Sequence, residues 1–260
     1  MSETSGTTGL DHVLERAVTI AAPREMVFRY FTDSARFAAW WGAGSTIEPR
    51  AGGKVRIVYP NGVVAGGTVL EIEPEERVAF TFGYASGQPV PVGASRVTIA
   101  LEESGRGTVV RLRHELPTAE ARDQHVQGWR YQLALFANVV AREAHAGASA
   151  LADRFFAVWG EADDATRRDA LEAIAVATIA FRDPYSCTDG TDDLLAHVAA
   201  SRRFMPGVVL ERQGEARQCQ GTALVDWAVK GPDGAVRARG TNVFELAADG
   251  RIARVTGIWS

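Results

Sequence analysis

One apolar stripe constrains this chain more than any other feature. Over residues 119–143, Val126, Trp129, Leu133, Phe136 and Val140 recur at helical spacing, so they share one face of a single long helix. A stripe of that length needs a sheet to lie against. The residues before it supply one. Runs of strand character over 54–59, 63–73, 77–83, 96–102 and 108–115 are punctuated by Pro60-Asn61-Gly62, Pro74-Glu75-Glu76 and Gly105-Arg106-Gly107, which are turn signals. Ahead of them the pattern predicts a strand over 13–20 and a helix opened by Pro23. A second short helix is capped by Asp33 or Ser34 and ends in Trp40-Trp41-Gly42. The order predicts an α+β domain in which an antiparallel sheet wraps around the long helix.

The second half reads differently. Ala146-Gly147-Ala148-Ser149-Ala150 is a joint of small residues. Helices are expected over 150–159, 165–178 and 191–205, the last stopped by Pro206-Gly207. Strands follow over 208–219, 222–230, 236–246 and 252–259, the last three joined by Gly231-Pro232-Asp233-Gly234 and Ala248-Asp249-Gly250. Three helices and then a meander predict a second α+β domain, cone-shaped and with one curved sheet. With 260 residues and 46% hydrophobic content, the chain can bury two modest cores. The expected division is a flexible tail at 1–11, a first domain over 12–145, a linker at 146–150 and a second domain over 151–260.

Charge and motif content exclude several function classes. A net charge of −4 and an isoelectric point near 5.8 argue against nucleic acid or an anionic membrane as partner. No run has the length and apolarity of a membrane span. The N-terminus lacks the basic start and apolar stretch of a secretory signal. Two cysteines, Cys187 and Cys219, form no framework; free, mostly buried thiols in a reducing cytoplasm are expected. His-x-His, Cys-x-x-Cys and His-Glu-x-x-His are all missing, and no Gly-rich phosphate loop opens a helix. Neither a metal nor a cofactor is expected.

Family resemblance enters on particular residues. Ala22-Pro23-Arg24-Glu25-Met26-Val27-Phe28, Trp40-Trp41, Gly52-Gly53-Lys54, Gly67-Thr68-Val69-Leu70-Glu71, Gly107-Thr108 and Gly128-Trp129 stand in family order and spacing. With them, residues 12–145 resemble the helix-grip, START-like (SRPBCC) superfamily, in particular the subgroup similar to the activator of the Hsp90 ATPase (AHSA1-like). That resemblance implies an apolar cavity between sheet and long helix, and carries over no catalytic motif. In the second half the matching elements are Phe181-Arg182-Asp183-Pro184, Gly190, Pro206-Gly207, Val225/Trp227, the run Gly240-Thr241-Asn242-Val243-Phe244-Glu245-Leu246, and the close from Asp249-Gly250-Arg251-Ile252 to Ile258-Trp259. Residues 149–260 thus resemble the NTF2-like superfamily, the fold of ketosteroid isomerase and the SnoaL-like polyketide cyclases. This fold hosts enzymes, binders and dimerisation modules alike.

The candidate site turns on Asp183, which follows an apolar stretch and precedes a proline. A carboxylate in partly apolar surroundings suits proton transfer, and the resemblance implies that Asp183 stands where isomerase-like members keep their base. It could equally bond the amides of its turn. Asn242 falls where those members keep an oxyanion-holding acid, and an amide can donate the same hydrogen bond. Strand parity puts Gly240, Asn242, Phe244 and Leu246 on one apolar, inward face, where Asn242 serves a ligand or a neighbouring group. The isomerases also place a tyrosine on the first helix; Phe155 stands there without a hydroxyl. Phe155, Tyr185, Trp227, Phe244 and Trp259 are pocket wall or core, while Trp129, Tyr59 and Phe82 line or fill a cavity in the first half. His197 reads as a surface helix residue, and His114 and His125 as polar groups near the long helix.

These readings together predict binding of an apolar, carbonyl-bearing small molecule of polyketide, steroid or lipid type. As an enzyme the chain would be a cofactor-independent isomerase, cyclase or dehydratase with an Asp base. The alternative is a non-catalytic carrier or sensor that forms a homodimer through the second domain, and a cochaperone of Hsp90 ranks last.

Overall fold

The computed structural model describes residues 9–260, and residues 1–8 of the expected tail lie outside them. The fold is mixed α+β, with two sheets and six helices among the described residues. Two compact units divide the chain, Met1–Val140 and Ala141–Ser260.

The first unit begins with β1 (His12–Ile20), α1 (Arg24–Arg29) and α2 (Ser34–Trp41). Asp33 starts α2 by accepting the N–H groups of Ala35 at 2.7 Å and Arg36 at 3.1 Å, which supplies partners that the first turn otherwise lacks. The sheet continues through β2 (Thr46–Ile47), β3 (Lys54–Val58), β4 (Val64–Glu73), β5 (Arg77–Tyr84), β6 (Ser95–Ser104) and β7 (Gly107–Leu116). Its order is β1-β7-β6-β5-β4-β3-β2, with neighbours antiparallel. Alternate residues of β7 (Val110, Leu112, His114, Leu116) point to the buried face. The long helix α3 (Ala119–Ala144) carries the apolar stripe: Trp129, Leu133, Phe136 and Val140 are buried. Two polar residues, His125 and Gln132, are buried with them.

The second unit contains α4 (Ala148–Gly160), α5 (Asp164–Glu172), β8 (Ala175–Asp183), β9 (Ser186–Asp189), α6 (Thr191–Phe204), β10 (Val209–Cys219), β11 (Thr222–Lys230), β12 (Val236–Leu246) and β13 (Ile252–Trp259). The sheet order is β10-β11-β12-β13-β8-β9; β13 and β8 run parallel and the other neighbours antiparallel. Three expectations need correction. The helix expected over 165–178 ends at Glu172, and Ala175–Asp183 is a strand. Val176, Thr178 and Ile179 are β-branched and favour extended backbone, and β13 pairs with the same strand at Ala175 and again at Ala180–Arg182. Helix α4 already begins at Ala148, inside the expected joint. Cys187 and Cys219 are free but exposed, not buried.

Trp227 sits on β11 directly across from Gly240 of β12. A Cβ on Gly240 would stand 2.4 Å from Cζ2 of Trp227 and 2.3 Å from the Ile258 carbonyl oxygen. The indole therefore lies over a position that only glycine leaves open. Gly240→Ala is expected to displace Trp227 and destabilise the second unit by about 1–3 kcal/mol. Urea unfolding followed by tryptophan fluorescence measures this, and an unchanged midpoint would contradict the packing.

Candidate functional site

Each unit holds a cavity, and the larger lies in the second, with a volume of about 770 Å³, within the usual size of small-molecule sites. Its floor is built from neighbouring strands. Asn242, only 5% exposed, pairs with Gly257 of β13. A Cβ placed on Gly257 would lie 3.2 Å from Oδ1 of Asn242 and 3.3 Å from Cβ of Asp183. Asn242, Gly257 and Asp183 therefore form one row across β12, β13 and β8, with an opening where a side chain on residue 257 would stand.

The amide of Asn242 has a determined orientation. Trp227 donates its indole N–H to Asn242 Oδ1 at 2.9 Å. An indole N–H can only donate, so the amide oxygen must face it. Both Nδ2 hydrogens are left without a partner among the described residues, on a side chain that lines the cavity.

Asp183 ends β8, and Pro184 and Tyr185 turn the chain into β9. Its Oδ1 accepts the N–H of Tyr185 at 2.8 Å, a turn held by the side chain. The other carboxylate oxygen has no partner among the described residues, and Asp183 lines the cavity. Tyr185 is 76% exposed at the rim and meets Trp259 edge-on at 5.1 Å, and Trp259 meets Trp227 at 5.2 Å.

Two residues read as wall or core lie in the core. Phe155 and Phe244 are buried 5.5 Å apart at 89°, and neither reaches the cavity. Phe244 lies one residue pair past Asn242, opposite Val255, where α4 covers the sheet. One turn beyond Phe155, Trp159 lines the cavity in its place, and its Nε1 is enclosed without a hydrogen-bond partner. His197, expected at the surface, also lines the cavity, with its ring 5.6 Å from Trp159 and 5.9 Å from Phe181. On α6, His197, Ser201 and Phe204 follow one another at helical spacing along the cavity wall.

The cavity of the first unit measures about 360 Å³ and is bordered by the expected Trp129, Tyr59 and Phe82, together with Trp41, Tyr84 and His125. Beneath it lies a buried chain of hydrogen bonds. Trp129 Nε1 donates to His114 Nδ1 at 2.9 Å. That nitrogen must therefore be unprotonated, so His114 carries its hydrogen on Nε2, which lies 2.8 Å from Ser95 Oγ. Ser95 in turn donates to the Phe82 carbonyl at 2.9 Å. Burial, with His125 beside it, pushes His114 down to about 3; burial also holds His125 below its ordinary value.

Residues 21–141 match the model of the Activator of Hsp90 ATPase homolog 1-like protein family. Among solved structures, the chain is similar to the AHSA1-like protein of Rhizobium etli, with 34% identity and a TM-score of 0.40, covering 50% of this chain and 82% of that one. It is also similar to a SnoaL-like family protein of Agrobacterium tumefaciens str. C58, with 26% identity and a TM-score of 0.42, covering 45% of this chain and 98% of that one. No curated protein matches the chain. Among the described residues no group of three or more His, Cys, Asp or Glu side chains is placed to hold a metal, and no helix is long and apolar enough to cross a membrane.

The neutral state of His114 sets a pH dependence. An unfolded histidine protonates near 6.5 and the folded one near 3. Between those values the unfolded chain binds the extra proton, so stability is full above pH 6.5 and falls as the pH drops toward 3. Chemical denaturation from pH 7 to pH 4 should show this loss in the first unit. His114→Gln, which keeps a donor and an acceptor but cannot titrate, should have a shallower slope. An equal slope in both proteins would contradict the assignment.

Proposed function

We propose that the chain binds an apolar, carbonyl-bearing small molecule in the cavity of its second unit and moves a proton on it. In this reading residues 12–145 form a helix-grip domain and the chain from α4 (Ala148–Gly160) onward an NTF2-like domain. The observation that carries it is the row of Asn242, Gly257 and Asp183, whose two side chains flank the glycine and line one cavity, with the amide hydrogens and one carboxylate oxygen left without a partner among the described residues.

The chemistry follows from the groups present. The free oxygen of Asp183 takes a proton from the carbon next to the ligand carbonyl. The electron pair of that C–H bond forms the enolate double bond, and the carbonyl π pair moves onto oxygen. That oxygen accepts N–H from Asn242, whose amide orientation Trp227 already sets. Once the Asp183 carboxyl has traded its proton with solvent, return to the same carbon exchanges the hydrogen, and return to a conjugated carbon moves a double bond. The aromatic walls (Trp159, Trp227, Trp259) lower the polarity around the enolate and strengthen its hydrogen bonds.

A specific observation favours a second reading. The bond from Tyr185 N–H to Asp183 gives the carboxylate a role in the turn that needs no catalysis, as in a ligand carrier. Exchange of the α-hydrogens of 2-decalone in D₂O, followed by mass spectrometry, separates the two. Asp183→Asn should slow the exchange by about 100-fold or more with little change in thermal midpoint, since the amide oxygen still accepts from Tyr185. Unchanged exchange would end the catalytic reading, and a large fall in midpoint would favour the turn. Gly257→Val should fill the opening and weaken 2-decalone binding by about tenfold or more, measured by calorimetry; unaltered binding would place the ligand elsewhere.

A further inference from the structure

The helical wall of the second unit's cavity carries a cation that the proton transfer does not use. Arg202, on α6, lines that cavity and is half-buried. Its Nη1 donates to the Trp159 carbonyl oxygen at 3.2 Å. Trp159 and Gly160 line the same cavity, so both ends of this bond belong to one wall. Trp159 stands in the last turn of α4, where carbonyls lack partners within the helix. A capping bond of this kind accounts for Nη1 alone, and a guanidinium carries five N–H donors. The bond holds the guanidinium in place and leaves its Nε and Nη2 edge for another acceptor.

No carboxylate of the chain answers that charge. Arg202 has no ion pair among the described residues. Glu161, two residues past the Trp159 carbonyl, accepts instead from the Asp163 N–H at 2.9 Å. Asp183, the one acid among the described residues that lines the cavity, ends β8 and accepts from Tyr185. Other polar groups of the helical wall are engaged: Ser201 donates to the His197 carbonyl at 3.0 Å, and the His197 ring lies against Trp159 and Phe181. A half-buried cation is ordinarily paired. The guanidinium fork matches the two oxygens of a carboxylate, which it binds through two parallel hydrogen bonds.

We infer that Arg202 anchors a carboxylate of the ligand, so that the cavity takes apolar keto acids, with the acid at α6 and the carbonyl at Asn242 on β12. The hydrocarbon between the two groups meets the aromatic walls, and about 770 Å³ has room for all three parts. The place of the ketone rests on the proton-transfer reading above, whereas the acid subsite rests on Arg202 alone.

Two probes without a ketone, 5-cyclohexylpentanoate and 5-cyclohexyl-1-pentanol, test the acid subsite by itself. In isothermal titration of the full chain at neutral pH and low salt, the carboxylate should bind about tenfold or more tightly than the alcohol. Arg202→Gln keeps a donor for the Trp159 carbonyl but no charge, and should erase that preference with little change in thermal midpoint. Arg202→Lys keeps the charge and the cap but not the fork, so its preference should fall below that of the native protein. Equal affinities for the two probes, no saturable carboxylate binding, a preference that survives Arg202→Gln, or one undiminished in Arg202→Lys would each overturn the subsite. A native protein that prefers the carboxylate through Arg202 but does not exchange 2-decalone would support the subsite and end only the ketone reading.

Discussion

The second unit's candidate site depends on one buried hydrogen bond, from Trp227 Nε1 to Asn242 Oδ1. It requires glycine at 240, because the indole crosses that position. It requires the register that sets Trp227 against Gly240 and Val225 against Asn242. Given both, the amide has one orientation, with Oδ1 toward the indole and its hydrogens left without a partner among the described residues, on a side chain that lines the cavity. Without the bond, an indole donor and an amide acceptor would be buried unpaired, at about 1–3 kcal/mol each. Gly257 completes the arrangement by leaving room between Asn242 and Asp183.

The same logic governs the first unit with different consequences. Trp129 fixes the tautomer of His114, and the Ala121 carbonyl fixes that of His125. In both units a group that can only donate or only accept removes the freedom of a group that can do either. The two cavities therefore present different faces to a ligand. One is lined by an amide and a carboxylate among aromatic rings, and the other by aromatic rings and a histidine.

Much of the architecture was legible in the sequence, since it is written in periodicity. The α3 stripe and the inward parity of Gly240, Asn242 and Phe244 depend only on spacing. What was not legible depends on pairing between distant segments. The end of the stretch 165–178 reads as helix, but from Ala175 on the chain is β8, whose parallel partner β13 lies more than 70 residues away. Phe155 and Phe244 read as wall or core with equal right, and only the cover of α4 on the sheet decides for core. Trp159 is one helical turn from Phe155, which the family resemblance does single out, and His197 reads as a surface residue, but the rotation of α4 and α6 about the sheet has no local signal. Gly257 carries no side chain to notice; its meaning comes from the strands on either side.

If Asn242 meets a ligand carbonyl as described, that carbonyl is polarised on binding. The most direct measurement is the infrared stretching frequency of ¹³C-carbonyl-labelled 2-decalone bound to the full chain and to Asn242→Leu. The stretch should fall to lower frequency in the native protein and return toward its value in an aprotic solvent in the variant. A stretch unshifted on binding, or shifted equally in both proteins, would contradict the assignment of Asn242 as the group that receives the carbonyl.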